Sequence, residues 1–427
     1  MTGLVAQHPE LGGVAWDYVQ YPVGLAGLGH DVYYLEDSGQ WPYRSDGGES
    51  GNDWIASDCR ANINHLHGVM SRFGLGDKWA YRFPATGEWF GMADVKREEV
   101  LRSADLILNV SGMLERPVEY GGRSPLVYID SDPVFTQVRL AARLEELGLT
   151  PEEEIEEAKF KRRVALHDVH FSFGERFSAA VPPTEYQWLP TRQPVVLSEW
   201  RTSRVPRDAF TTVMSWTSYT PLRYAGRTYA QKDVEFRRFL GLPEKCPSAT
   251  LEVALNSTHH ANWERPSDAG SARDEGEERP ETLMKRFGWR VVDASAACSD
   301  LDSYREFVRS SKAEWAVAKS GYVLGRPGWF SCRSACYLAA GRPVVVQDTG
   351  FSEAIPVGEG ILTFSTLEEA ADAIEDVQAH YRVHAAGAGD IAEAYFDSDQ
   401  VLGRLLEQSF ASSRPATVGG RRGDGDS

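Results

Sequence analysis

The chain has few cysteines, no excess of positive charge and no long apolar run, and each absence closes off a class of function. Its five cysteines, Cys59, Cys246, Cys298, Cys332 and Cys336, are odd in number and scattered, without the paired spacing of a zinc site. Only Cys332 and Cys336 are close, and at i, i+4 on an expected helix they read as small packing residues. Lys and Arg number 45 against 62 Asp and Glu, a formal charge of −17, which argues against a protein that coats nucleic acid or anionic lipid. A local basic pocket for a diphosphate is still compatible with that balance. No apolar stretch reaches the roughly 18 residues of a membrane-spanning helix, and the N-terminus lacks the basic flank and apolar core of a secretory signal. A cytoplasmic location is therefore expected. No internal repeat is visible.

What is present is a chain of 427 residues, 42% hydrophobic and 11% aromatic, ample for buried cores. Its length suggests two domains and a tail. The 12 tryptophans are expected mainly in cores and domain contacts, with some free to stack on sugar faces.

The pattern along the chain is strand, loop, helix, strand. Gly3–Ala6 reads as a first strand, followed by a loop through His8, Gly12 and Gly13, a helix from about Val14 to Gly27, and a strand Val32–Leu35. A full first strand begins several residues earlier, so Met1 is expected to lie inside an element whose upstream part is missing. Ala104–Val110 and Pro125–Ile129 read as buried parallel strands, the second ending in Asp130, Ser131 and Asp132. Glu145–Val164 reads as a solvated helix, and His170–Gly174 and Glu185–Leu189 as later strands. Pro190–Pro206 is the expected linker.

Beyond it, strands are expected at Phe210–Trp216, Thr250–Leu255, Gly288–Val292 and Trp315–Lys319, with a mobile loop at Asn256–Pro280 and a helix at Ser303–Ser311. Helices are also expected at Leu367–His384 and Ile391–Leu406. The division is an N-terminal domain at 1–200, a C-terminal domain at 207–385, a last helix at 386–411 and a disordered tail at 412–427.

The most informative segment runs from Gly325 to Phe364. Ser331–Ala340 reads as a helix closed by Gly341, Val344–Val346 as a strand covered on both faces, and Asp348, Thr349 and Gly350 as the turn at its carboxyl end, where ligand crevices open. The pattern A-x-G-R-P-V-V-x-x-D-T-G-x-x-E resembles the donor-binding domain of GT-B glycosyltransferases. The N-terminal strand, Gly-Gly loop, helix and L-G-H-D-V turn are similar to the opening of the other GT-B domain. The resemblance implies an α/β fold of two Rossmann-like domains facing a cleft, with the last helix able to cross back. It also implies transfer of a sugar from a nucleotide diphosphate sugar to a hydroxylated acceptor, with no cofactor, no metal and no nucleic-acid partner.

The same resemblance distributes the roles. Arg227 and Lys232, in G-R-T-Y-A-Q-K, match the loop that holds donor phosphates, although their spacing alone equally fits two solvent-facing cations. Lys319, Arg326 and Arg333 form a second basic set, and Ser331 is a candidate N-cap whose following N–H groups face the diphosphate. Arg333 has the alternative of an acidic partner within the fold. Thr349 and Gly350 form the donor-side turn, and Glu353 and Glu359 compete for the ribose, with Glu353 the better match and Glu359 open to solvent. Gly12 and Gly13 permit close approach to the donor or simply make a tight turn. Asp132, Asp130 and His8 are candidate bases for the acceptor hydroxyl.

Two features weigh against parts of this assignment. The E-x7-E pair of many retaining GT-B enzymes is replaced by Gly328 and Cys336, and Asp130-Ser131-Asp132 spells the D-x-D metal signature of the GT-A fold. A nucleotide-sugar epimerase of the same fold and a catalytically silent sugar- or nucleotide-binding protein are the rival readings.

Overall fold

A computed structural model describes residues 1–44, 55–120, 124–143, 150–256 and 278–412. The start of the expected helix at 145, most of the expected loop at 256–280 and the tail beyond 412 lie outside the described residues.

The second half carries the clearer topology. Strands β8 (Phe210–Ser215), β11 (Leu251–Asn256), β12 (Arg290–Asp293), β13 (Ala313–Ala316), β14 (Val344–Gln347) and β15 (Ile361–Phe364) form one sheet in the order β12-β11-β8-β13-β14-β15, parallel throughout. The first strand is central, the next two lie on one side of it and the last three on the other. That is the doubly wound Rossmann order, and it opens a crevice at the carboxyl ends of β8 and β13, where the winding reverses. Helices cover both faces, so β11, β13 and β14 are buried along their whole lengths.

The first half repeats the plan. Strands β1 (Tyr34–Glu36), β2 (Trp79–Arg82) and β3 (Trp89–Gly91) form one group, and β4 (Ile107–Val110), β5 (Leu126–Asp130), β6 (Val169–Ser172) and β7 (Trp188–Pro190) a parallel second group. The chain's first residues join them. Leu35 donates its N–H to Met1 at 2.8 Å and Thr2 donates to Leu108 at 2.9 Å. Two Rossmann-like domains facing a cleft, as the GT-B resemblance implies, are thus the architecture.

Several expected elements are displaced. The strand expected at Gly3–Ala6 stops at Thr2, because the N–H groups of Ala6 and Gln7 each donate to the buried Glu36 carboxylate at 2.8 Å instead of to a neighbouring strand. The expected helices Leu367–His384 and Ile391–Leu406 are three, Leu367–Ala379, Tyr381–Tyr395 and Ser398–Ser412. The second break exists because Val195, in the segment between domains, donates to Phe396 O and accepts from Ser398 N–H. Pro190–Pro206 is thereby tied down, and its Trp200 is fully buried with Nε1 donating to Gln20. Ser398–Ser412 crosses back to pack against the first long helix, Gly12–Gly27, where Gly24 leaves room for Leu402 and Ser398.

Candidate active site

The crevice at the ends of β13 and β14 is built from three local devices. β13 runs out through Val317 and Ala318 to Lys319, which starts the short helix Ser320–Gly325. β14 ends in Asp348, whose carboxylate accepts from Gly350 N–H at 2.9 Å and Ser352 Oγ at 3.0 Å, a turn that needs the positive φ of Gly350. Between them, the helix Cys332–Ala339 points its N-terminus into the crevice. Ser331 has N-cap geometry, yet its side chain makes no capping hydrogen bond. The first N–H groups of this helix therefore carry no side-chain partner.

Around that helix end, polar atoms are left over. Ser334 is 1% exposed and its Oγ has no hydrogen-bond partner, nor has the buried Nε1 of Trp329. Both residues line a pocket with Ala318, Ser331, Arg333 and Gln347. Buried polar groups without partners cost free energy, so their clustering marks a place where a polar ligand or water completes the set. The pocket measures about 20 Å³, room for a water and not for a nucleotide.

The sequence-derived cations divide. Lys319 reaches across the cleft, donating to Asp132 at 2.9 and 3.1 Å and to the Tyr219 hydroxyl at 2.8 Å. Lys232 is half-buried nearby, and its pKa is held well below the usual lysine value, mainly by burial and then by Arg333 and Lys319. Arg333 turns inward, pairing with the fully buried Glu314 and donating to Val213 O at 2.6 Å, so its guanidinium is largely committed to the fold. Arg227 is exposed on the hairpin of β9 (Leu222–Tyr224) and β10 (Arg227–Tyr229), whose turn at Ala225 and Gly226 has two positive φ values. It stands on a strand, not in a phosphate loop. Arg326 pairs with Asp348 at 3.0 Å near the surface.

On the donor turn, Thr349 Oγ1 donates to Trp329 O at 2.5 Å, tying the turn to the pocket wall. Glu353 pairs with Arg176 of the first domain at 3.2 Å, exposed on both sides, and Glu359 faces solvent.

The first-domain candidates are held in different ways. Asp130 is buried, and its oxygens accept from Thr136 Oγ1 at 2.7 Å, Ser172 Oγ at 2.8 Å, Gln137 Nε2 at 3.0 Å and Asp132 N–H at 3.0 Å. Burial pushes its pKa up to about 6, with these donors opposing the rise. Asp132 projects the other way, to Lys319 and to the hydroxyls of Tyr219 and Tyr322. The two carboxylates of the D-x-D tripeptide therefore do not converge on a shared cation position. His8 stacks on Tyr43 with ring centroids 4.9 Å apart. Gly12 donates its N–H to Cys298 O at 3.0 Å, and a Cβ there would strike Asp300 O. At Gly13 a Cβ would stand 2.9 Å from Tyr304 Cε2. These glycines allow close approach, but to the second domain's own backbone and ring.

The loop carrying Asp132 is strained. Val134 has φ 74° and ψ −52°, near the strained γ-turn and rare for a β-branched residue. Contacts on both sides hold it. Val134 N–H donates to Gln137 Oε1 at 2.5 Å, and Val134 and Phe135 press against Gly325 and Gly321 of the second domain. A second contact closes the cleft where Ser178 Oγ donates to Gly325 O at 2.7 Å.

Sequence reasoning missed Asp17, Tyr219, Tyr322 and Gln231. Asp17 is the single charged residue in the helix Gly12–Gly27, which was the available signal. Helical spacing puts Gly13, Asp17, Gln20 and Gly24 on one stripe. Gly13 meets Tyr304, Gln20 Nε2 lies 3.8 Å from Cys336 Sγ, and Gly24 meets the last helix. Asp17 thus faces the second domain. Gln231 is buried beside Lys232, with its side-chain amide near the Tyr219 hydroxyl.

Among the described residues Asp376, His380 and His384 also come together, away from the cleft. Asp376 holds His380 Nδ1 at 2.7 Å and His384 Nε2 at 3.3 Å, while Gly360 N–H faces His384 Nδ1 at 3.4 Å. That last contact puts the ring proton on Nε2, so the group reads as a hydrogen-bonded helix junction. No helix among the described residues is long and apolar enough to cross a membrane.

No family model and no curated protein matches this chain. Among solved structures it is similar to an alpha-glucosyltransferase in complex with UDP and a 13-mer DNA, at 12% identity and TM-score 0.49 over 96% of this chain and 98% of that one. It is also similar to sucrose-phosphate synthase from Thermosynechococcus elongatus, at 13% identity and TM-score 0.48 over 96% and 99% of the two chains. A third is Anabaena HepE in complex with UDP-glucose, at 14% identity and TM-score 0.48 over 88% and 98%.

Proposed function

We propose that the chain is a metal-independent glycosyltransferase that moves a sugar from a nucleotide diphosphate sugar to a hydroxylated acceptor. One observation carries the reading: an uncapped helix N-terminus with the orphaned Ser334 Oγ and Trp329 Nε1 beside it, at the end of the strand where a Rossmann sheet reverses its winding. A diphosphate fits that set chemically. Its oxygens accept from the free N–H groups, the serine and the indole, and its charge is offset by Lys319 and Lys232 together with the helix dipole. Glu353, in an exposed pair, is the carboxylate for the ribose hydroxyls. The Asp130 and Asp132 carboxylates point apart, which supports charge compensation by side chains instead of a divalent ion. All five cysteines are unpaired, in keeping with a cytoplasmic location.

Incubation with UDP-, GDP- and dTDP-hexoses, reading released nucleotide and product mass, tests the proposal. Release of nucleotide with a glycosylated product supports it. An isomerised sugar would point to an epimerase, and tight binding without turnover to a silent binding protein.

A further inference from the structure

We propose that Asp17 takes the proton of the acceptor hydroxyl, an assignment that rests on the transferase reading above. Of the described carboxylates Asp130, Asp132 and Asp17, it is Asp17 that combines position and freedom. Asp130 is saturated by hydrogen bonds from Thr136, Gln137, Ser172 and the Asp132 amide, and Asp132 is held by Lys319 and two phenols. With their oxygens engaged by these donors, neither carboxylate presents a free lone pair to an incoming acceptor hydroxyl. The Asp17 carboxylate accepts no hydrogen bond from the described residues, and it is half-buried on the stripe of Gly12–Gly27 turned to the second domain.

Its surroundings are those of a proton acceptor. Arg333 faces it from the start of Cys332–Ala339, with the Cys332 and Cys336 thiols on the same helix, Tyr304 from Leu301–Ser310, and Tyr18 and Tyr21 on its own helix. Arg333 also lines the pocket that contains Ser334 and Trp329, so Asp17 and the proposed diphosphate site share one arginine as a neighbour. Burial, partly offset by Arg333, brings the carboxyl pKa up to about 7, the range in which a base works best near neutral pH.

The step balances as a single displacement. The acceptor O–H proton passes to the Asp17 carboxylate, and the acceptor oxygen forms a bond to the anomeric carbon. The bond from that carbon to the diphosphate oxygen breaks, and the nucleoside diphosphate leaves with the electron pair. A displacement from the face opposite the leaving group inverts the anomeric configuration, consistent with a chain that has Gly328 and Cys336 where retaining relatives of the fold carry glutamates.

The experiment compares the full-length wild type with Asp17→Asn and Asp17→Glu, using whichever nucleotide hexose of the panel turns over. Calorimetry gives the affinity for the free nucleotide, kinetics the turnover, and proton NMR the anomeric configuration of the product. Expected are unchanged nucleotide affinity and thermal stability no lower than wild type for Asp17→Asn, turnover lowered by roughly 10²–10⁴-fold, partial recovery in Asp17→Glu, and an inverted product. Near-normal turnover of Asp17→Asn, or a product of retained configuration, overturns the assignment while leaving the transferase reading intact. If Asp17→Asn loses nucleotide affinity in step with turnover, Asp17 shapes the donor pocket and the assignment is likewise overturned. A wild type without turnover removes both readings.

Discussion

Asp132 and Lys319 meet across the two domains, with Nζ 2.9 Å from one carboxylate oxygen and 3.1 Å from the other. The pair comes from the carboxyl end of β5 in one Rossmann-like half and β13 in the other. It is half-screened from solvent and reinforced by the Tyr219 and Tyr322 hydroxyls. Lys319 thus has two anionic partners available in the proposed cycle, the carboxylate it holds and a donor diphosphate, and engagement of one weakens its hold on the other.

Lys319→Ala should weaken binding of the free nucleoside diphosphate by about 1.5–3 kcal/mol, the range for charge-assisted hydrogen bonds. Arg227→Ala, at an exposed hairpin position, should leave that affinity unchanged. Calorimetric titration of both variants checks the contrast. Equal losses would return the phosphate site to the hairpin.

Gly325→Ala should loosen the closure of the domains. The new Cβ would strike Val134 Cγ2, and Val134 sits in a strained turn that cannot easily move. Overpacking of this kind costs about 1–3 kcal/mol. A lowered melting temperature together with a larger radius of gyration in X-ray scattering is the expected result, because the clash lies between domains and not within one core.

Much of this architecture was legible in the sequence and some was hidden for identifiable reasons. The β14 run Val344–Gln347, the glycine turn after it and the helix before it were readable because small and β-branched residues report buried parallel strands directly. The hairpin Leu222–Tyr229 and the strands Trp79–Arg82 and Trp89–Gly91 were not, since short antiparallel pairs leave little periodicity. The helix break at Phe396 has no Gly or Pro to announce it, for its cause is Val195, some 200 residues away in sequence. Around the cleft, the sequence named Lys319, Lys232 and Asp132, which the structure brings near one another. Motif spacing overlooked Asp17 because a lone acid in an apolar helix acquires meaning only when the opposite domain is in place.

Treatment with EDTA should leave turnover unchanged. Asp130 spends its oxygens on four donors and Asp132 on Lys319 and two phenols, so the tripeptide offers no shared set of hard ligands to a divalent ion. Loss of activity on chelation, restored by Mn²⁺, would require the loop to rearrange and would return the D-x-D reading.

The pH dependence of stability should carry the signature of Asp17. Its pKa is about 7 in the folded chain against an ordinary aspartate value of 3.8, so between those values the folded state binds more protons than the unfolded one. Stability must then fall as pH rises through this window, since its slope follows the protons bound by the unfolded state minus those bound by the folded state. Below about pH 4 the carboxyl is protonated in both states and costs nothing. Above pH 7 the buried charge exerts its full penalty. Glu36 and Asp130, raised to about 7 and about 6 by burial, add slopes of the same sign, so the wild-type profile alone does not isolate Asp17. The difference from Asp17→Asn does. Urea unfolding at pH 5 and pH 8 should show the variant gaining stability relative to wild type at the higher pH, while wild-type turnover rises through pH 7 as the base ionises. A variant whose advantage is the same at both values would mean that Asp17 is already charged at pH 5, with too little proton affinity for the role assigned to it.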